Sequence, residues 1–141
     1  MTTRTATARY SGFGKAGKGQ LTSQSGVLDA TPYSFNTRFG DEKGTNPEEL
    51  IAASHAGCFT MALSFALAGA GYEEGTLETK AAVKLEQDGA GFKVTRSDLT
   101  LNAHVPGIDP DRFRDLAFEA KENCPISKLL NAEVTLSHTL T

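Results

Sequence analysis

Two cysteines, Cys58 and Cys124, are the side chains in this sequence best suited to chemistry, and they stand 66 residues apart. A thiol is a nucleophile only as its thiolate, so each must be judged by what could hold it ionised. Cys58 lies inside an uncharged run: the 23 residues between Glu49 and Glu73 include no Asp, Glu, Lys or Arg. Burial in such a run raises a thiol pKa and leaves it inert unless a cation reaches it. Cys124 precedes Pro125. Proline suits the first position of a helix, so Cys124 is expected at an N-cap, facing unpaired N–H groups and the positive end of the helix dipole. The residues themselves leave two readings open, free core thiols or a redox pair. His55 and Cys58, three positions apart on one helix, are a possible metal-ligand pair. No CxxC, HxxxH or carboxylate cluster completes a tetrahedral set, so a core His55 satisfied by a backbone carbonyl is the preferred reading. His104 falls on a strand beside a loop, and His138 on an apolar strand face reads as a hydrogen-bonded core residue.

The elements that must position these groups follow from pattern and punctuation. TATARYSG reads as a strand and GFGKAGKG as a glycine-rich turn. Gly12, Gly14 and Gly17 lack the Lys-Ser/Thr ending of a phosphate loop and fit hairpin chemistry. QLTSQSGVLDATPYSFNTRF reads as one or two strands, broken near Ser25-Gly26 and Asp29. Asn46 as N-cap, Pro47 at N1 and Glu49 at N3 then open a long helix, which should end near Gly69 or Gly71. Glu49 has a capping task there; Glu48 has none. LETKAAVKLEQ, the turn DGAG and FKVTRSDLTLNAHV form a hairpin. Apolar parity shifts between Val94 and Leu99, so a β-bulge is expected near Arg96–Asp98. DRFRDLAFEAKEN is an amphipathic helix with Phe113, Leu116, Ala117 and Ala120 inward. A short helix PISKLLN and a last strand EVTLSHTL close the chain. The order βββ-α-ββ-αα-β is an α+β fold with mostly antiparallel strands.

The 141 residues fit a single domain, 1–141, or one protomer of a dimer. With 14 basic and 17 acidic residues the net charge is −3, which argues against a nucleic-acid surface. MTTRTATARYSG has no apolar secretory core, so a cytoplasmic location is expected, where a lasting structural disulfide is disfavoured. The uncharged run is long enough to span a bilayer. It is rich in Ala, Gly and Ser, bracketed by carboxylates and without flanking Lys or Arg, so a buried helix is preferred to a membrane span.

Several blocks in order resemble one family. FNTRF at 35–39, GTNPEELIAASHAGCFTMALS at 44–64, VPGID at 105–109, NCPIS at 123–127 and AEVTL at 132–136 are similar to the OsmC branch of the OsmC/Ohr hydroperoxide peroxidases. The resemblance implies an intertwined homodimer, with sheets packed around long central helices. It implies a thiol peroxidase acting on organic hydroperoxides and hydrogen peroxide, without cofactor or metal and recycled by a thiol reductant, a dithiol such as a lipoyl protein. By position, Cys58 would be the peroxidatic cysteine and Cys124 the resolving one. Arg38 would stabilise the Cys58 thiolate and Glu48 would orient Arg38. An apolar pocket of Phe59, Met61 and Phe65 is expected to favour greasy hydroperoxides. Ten residues of straight helix put Glu48 about 15 Å from Cys58, so Arg38 and Glu48 are expected to act on the partner chain's cysteine. A non-catalytic protein holding a lipid-like ligand on the same scaffold is the alternative.

Overall fold

The computed structural model describes residues 2–141, which divide into two compact units, 2–50 and 51–141. In the first unit, β1 (Ala6–Ser11), β2 (Lys18–Ser23) and β3 (Thr31–Tyr33) form an antiparallel sheet in that order. A short 3-10 turn at Gly14–Ala16 links β1 to β2, as the glycine-rich stretch anticipates. Nearly every residue of β1 is exposed.

FNTRF, expected to continue a strand, is instead a one-turn helix, α1 (Phe35–Phe39). Ser34 is its N-cap: the Ser34 hydroxyl accepts from the Thr37 N–H, and the Thr37 hydroxyl accepts from the Ser34 N–H. This reciprocal box satisfies end groups that a strand would have left to a neighbour.

The long helix α2 (Pro47–Gly69) starts where its caps placed it. Asn46 Oδ1 accepts from the Glu49 N–H at 2.8 Å. Glu49 does not close the box; its carboxylate takes the Thr45 hydroxyl at 2.7 Å. At the far end the Tyr72 N–H bonds to the Leu67 carbonyl while Gly71 adopts φ +97°, a helix termination that glycine makes without steric penalty.

The second unit holds β4 (Thr76–Asp88), β5 (Gly91–His104) and β6 (Glu133–Leu140), in that order. β4 and β5 are the expected hairpin, turning at Gly89-Ala90. Lys84 faces Arg96 and Leu85 faces Val94, so Thr95 is the extra residue, one position ahead of the bulge expected at 96–98. β6 runs parallel to β5. A parallel return needs a crossover, and α3 (Pro110–Asn123) with α4 (Pro125–Leu129) supplies it. Asp109 caps α3 through the N–H groups of Asp111 and Arg112. Its inner stripe of Phe113, Leu116, Ala117 and Ala120 is buried, as the periodicity predicts. That stripe packs with Phe59, Leu63 and Leu67 of α2 and Leu99 and Leu101 of β5 into the core of the unit.

The face of α2 carrying Met61 and Phe65 is not covered: these side chains are 63% and 72% exposed. Phe59, expected beside them in one pocket, turns the other way into the core. α2 is long and apolar enough to cross a membrane by length and composition, and only 22% of its most apolar window is buried within the chain.

Candidate active site

Of the four residues singled out, each unit brings two together. In the first, Arg38 is carried by α1, and Asn46 Nδ2 donates to the Thr37 carbonyl at 3.1 Å, tying the last turn of α1 to the cap of α2. Glu48, with no capping role, is free to meet Arg38. The two form a bidentate pair, Nε to Oε1 at 2.8 Å and Nη2 to Oε2 at 2.9 Å. Charge-assisted forks of this kind fix the guanidinium plane as well as holding it. The Phe39 ring lies 5.3 Å from the guanidinium carbon. The hydrogen bonds that Arg38 donates to Glu48 raise its pKa further, against a smaller loss from burial, so the cation is permanent.

In the second unit, α2 presents Cys58 and the α3–α4 junction presents Cys124. Cys124 ends α3, with its N–H bonded to the Ala120 carbonyl at 2.9 Å, and is also the N-cap of α4. Both are free thiols, and Cys58 packs against the core cluster to which Cys124 belongs. Cys58 is partly exposed, whereas Cys124 is fully buried. The surroundings push the two thiols in opposite directions. Burial raises Cys58, the hydrogen bond with Cys124 raises it further, and the Ile126 N–H opposes them only in part. Burial also acts upward on Cys124, but the hydrogen bond from Cys58, the Ser127 N–H, the Ser127 hydroxyl and the Ile126 N–H together bring it below the ordinary thiol value. Cys124 occupies the expected N-cap position of α4, although its sulfur makes no capping hydrogen bond.

His55 is fully buried. Its Nδ1 faces Ser97 Oγ at 2.6 Å and its Nε2 faces Ser127 Oγ at 2.8 Å, so two hydroxyls, not the expected backbone carbonyl, satisfy the ring. Among the described residues, no group of three His, Cys, Asp or Glu could hold a metal. His104 Nδ1 faces the Thr141 carbonyl at 3.0 Å. His138, expected to be hydrogen-bonded, is held by rings: it stacks on Phe113 at 5.9 Å and meets the edge of Phe118 at 6.1 Å. Ser97 was not singled out, and Ser127 only as part of NCPIS. Ser127 had one local signal, its place three residues after an N-cap, from which side chains reach back to the cap.

Burial lowers the His55 pKa, and this has a consequence for stability. The unfolded chain binds a proton at His55 near pH 6.5 while the folded chain does not. Between the lowered folded value and about 6.5 the unfolded state holds more protons, so stability rises with pH through that window and is complete above it. Urea midpoints should therefore fall as pH drops below about 6.5, and His55→Gln should remove part of that fall. An identical acid dependence in His55→Gln would mean that other groups cause it.

Residues 40–139 match the family model described as OsmC-like protein, a span that includes Glu48, Cys58 and Cys124 and starts just after Arg38. The chain is 49% identical over 133 residues to peroxiredoxin OsmC of Escherichia coli, covering 94% of this chain and 93% of the relative. It is 32% identical over 117 residues to the organic hydroperoxide resistance protein OhrB of Bacillus subtilis, covering 82% and 84%. The crystal structure of that OhrB superposes with a TM-score of 0.70 at 33% identity, covering 99% of this chain and 98% of the other.

Proposed function

Because the chain belongs to the OsmC-like protein family, we propose that it is a cysteine-based peroxidase that reduces organic hydroperoxides, and hydrogen peroxide, through Cys58 and Cys124. One observation carries this reading: two thiols 66 residues apart in sequence pack at the same core cluster, one partly exposed and one buried. Peroxide must come from outside, so the exposed thiol is the one it meets. The Cys58 thiolate attacks one peroxide oxygen; the S–O bond forms, the O–O bond breaks, and the alkoxide leaves as an alcohol after taking a proton. Cys124 thiolate then attacks the sulfur of the Cys58 sulfenic acid. The disulfide forms, hydroxide leaves as water after taking a proton, and the pair has lost two electrons. A dithiol reductant, such as a lipoyl protein, returns those electrons and restores both thiols.

The first step needs a cation, because the surroundings within residues 51–141 raise Cys58. Arg38, oriented by Glu48, is that cation in this reading, supplied by the partner of an intertwined homodimer. The uncharged, largely uncovered face of α2 and the exposed β1 strand support such a partner, since apolar area left in water costs about 25 cal/mol per Å². The whole chain, 1–141, then works as one domain of that dimer in the cytoplasm.

The test is turnover. Purified protein supplied with an alkyl hydroperoxide and a dithiol should consume one dithiol per peroxide reduced. A protein that binds the hydroperoxide or a fatty acid without consuming either would instead be the non-catalytic lipid-like ligand-binding protein of the alternative reading.

A further inference from the structure

We infer that His55 is a positioning residue for the disulfide-forming step: its imidazole holds the Ser127 hydroxyl as a hydrogen-bond donor to the Cys124 sulfur. The inference rests on the reading of Cys124 as the resolving cysteine and adds a residue to it.

A polar chain crosses the core of the second unit. Ser97 on β5, His55 on α2 and Ser127 on α4 are linked at 2.6 and 2.8 Å, and both Ser97 and His55 are fully buried. Buried polar groups are costly unless each is satisfied by another, and Leu or Phe would fill this space more simply. The chain does not end at random. Its last member, Ser127, stands three residues after Cys124 on the helix that Cys124 caps, a position from which a side chain reaches back to the cap.

The hydrogen count explains what the imidazole contributes. A neutral imidazole has one N–H and one lone pair, and burial keeps His55 neutral. With the hydrogen on Nε2, the ring donates to Ser127 Oγ, and the Ser127 hydrogen is left to point at Cys124. Ser97 then donates to Nδ1. With the hydrogen on Nδ1, Ser127 spends its hydrogen on Nε2 and can only accept from a Cys124 thiol. The two tautomers thus match the two states of Cys124, and the thiolate is matched by a hydroxyl already turned toward it. Without the ring, the Ser127 hydroxyl is free to rotate and the thiolate loses an oriented donor. No proton is stored on His55 and no step passes through it.

The experiment has two arms. The first uses no peroxide: in a Cys58→Ser background, thiolate absorbance of Cys124 is titrated against pH in His55, His55→Leu, His55→Gln and Ser127→Ala proteins. His55→Leu and Ser127→Ala should both move the titration of Cys124 upward, and their effects should not add. His55→Gln, whose side-chain amide can donate in place of Nε2, should recover part of the shift. The second arm keeps both cysteines and follows, after a hydroperoxide pulse, sulfenic acid formation and its decay into disulfide. Loss of an oriented donor to a charged sulfur should slow closure roughly ten-fold relative to the first oxidation. Melting curves accompany each variant; if His55→Leu does not fold, His55→Gln against Ser127→Ala carries the comparison. The inference is overturned if Cys124 titrates at the wild-type pH in His55→Leu, or if only Ser127→Ala shifts it. It is also overturned if closure keeps its wild-type ratio to the first oxidation. Failure of the peroxidase reading would show separately, as absence of sulfenic acid in every variant, while the titration arm still decides the role of His55.

Discussion

Cys58→Ser protein is expected to lose alkyl hydroperoxide turnover by roughly three orders of magnitude or more, since removal of a nucleophile abolishes the covalent route rather than weakening it. A hydroxyl in place of the thiol is far less acidic and cannot form a sulfenic acid. Cys124→Ser should behave differently. It should still reduce one equivalent of peroxide per chain, then stall, because the sulfenic acid has no partner thiol and proceeds to higher oxidation states when peroxide is in excess. Stopped-flow peroxide consumption separates the two. Wild-type rates in Cys58→Ser would transfer the nucleophile's role to Cys124, which is fully buried and poorly placed to meet substrate.

The second large effect concerns the cation. Arg38→Ala is expected to lower the rate at neutral pH by about 10²–10³, the range seen when a preorganised charge stabiliser is removed. The sign of its pH dependence follows from the thiol. Burial and the bond with Cys124 hold the Cys58 pKa above the ordinary value, and the arginine offsets this by favouring the thiolate. Without it, the rate should fall at pH 7 and recover as pH rises. Glu48→Gln should show a milder version of the same profile, since the amide can still accept from Nε while losing one charge-assisted contact of the fork. Mixing Cys58→Ser with Arg38→Ala chains tests where the arginine acts. If it serves the partner's cysteine, one protomer of each heterodimer pairs an intact Cys58 with an intact Arg38, and activity returns. If it serves its own chain, neither protomer is complete and none returns.

Much of the positioning was legible because it is local. The Asn46 cap, the inward stripe of α3 and the α3–α4 break at Cys124-Pro125 each depend on residues within a turn of one another. The α1 helix was missed for the same reason in reverse: its Ser34–Thr37 box lies inside an apolar stretch that alternates like a strand. The bulge was legible to within one residue, since a parity shift shows that one residue is extra but not which. The parallel seating of β6 left no trace in its own alternating pattern, because alternation is the same for either neighbour direction. On α2 the apolar residues surround the helix, so nothing in the pattern separates Phe59, which faces the core, from Met61 and Phe65, which do not. Glu48 meets Arg38 across ten residues and Ser97 meets His55 across 42, contacts that no local rule could supply.

The most direct test of a two-cysteine peroxidase is a count of free thiols before and after one equivalent of an alkyl hydroperoxide per chain, with the products identified by mass. Wild-type protein should lose both thiols and gain one Cys58–Cys124 disulfide within the chain. Wild-type protein that keeps both thiols, or a Cys58→Ser variant that loses its one remaining thiol just as readily, would contradict the proposed chemistry.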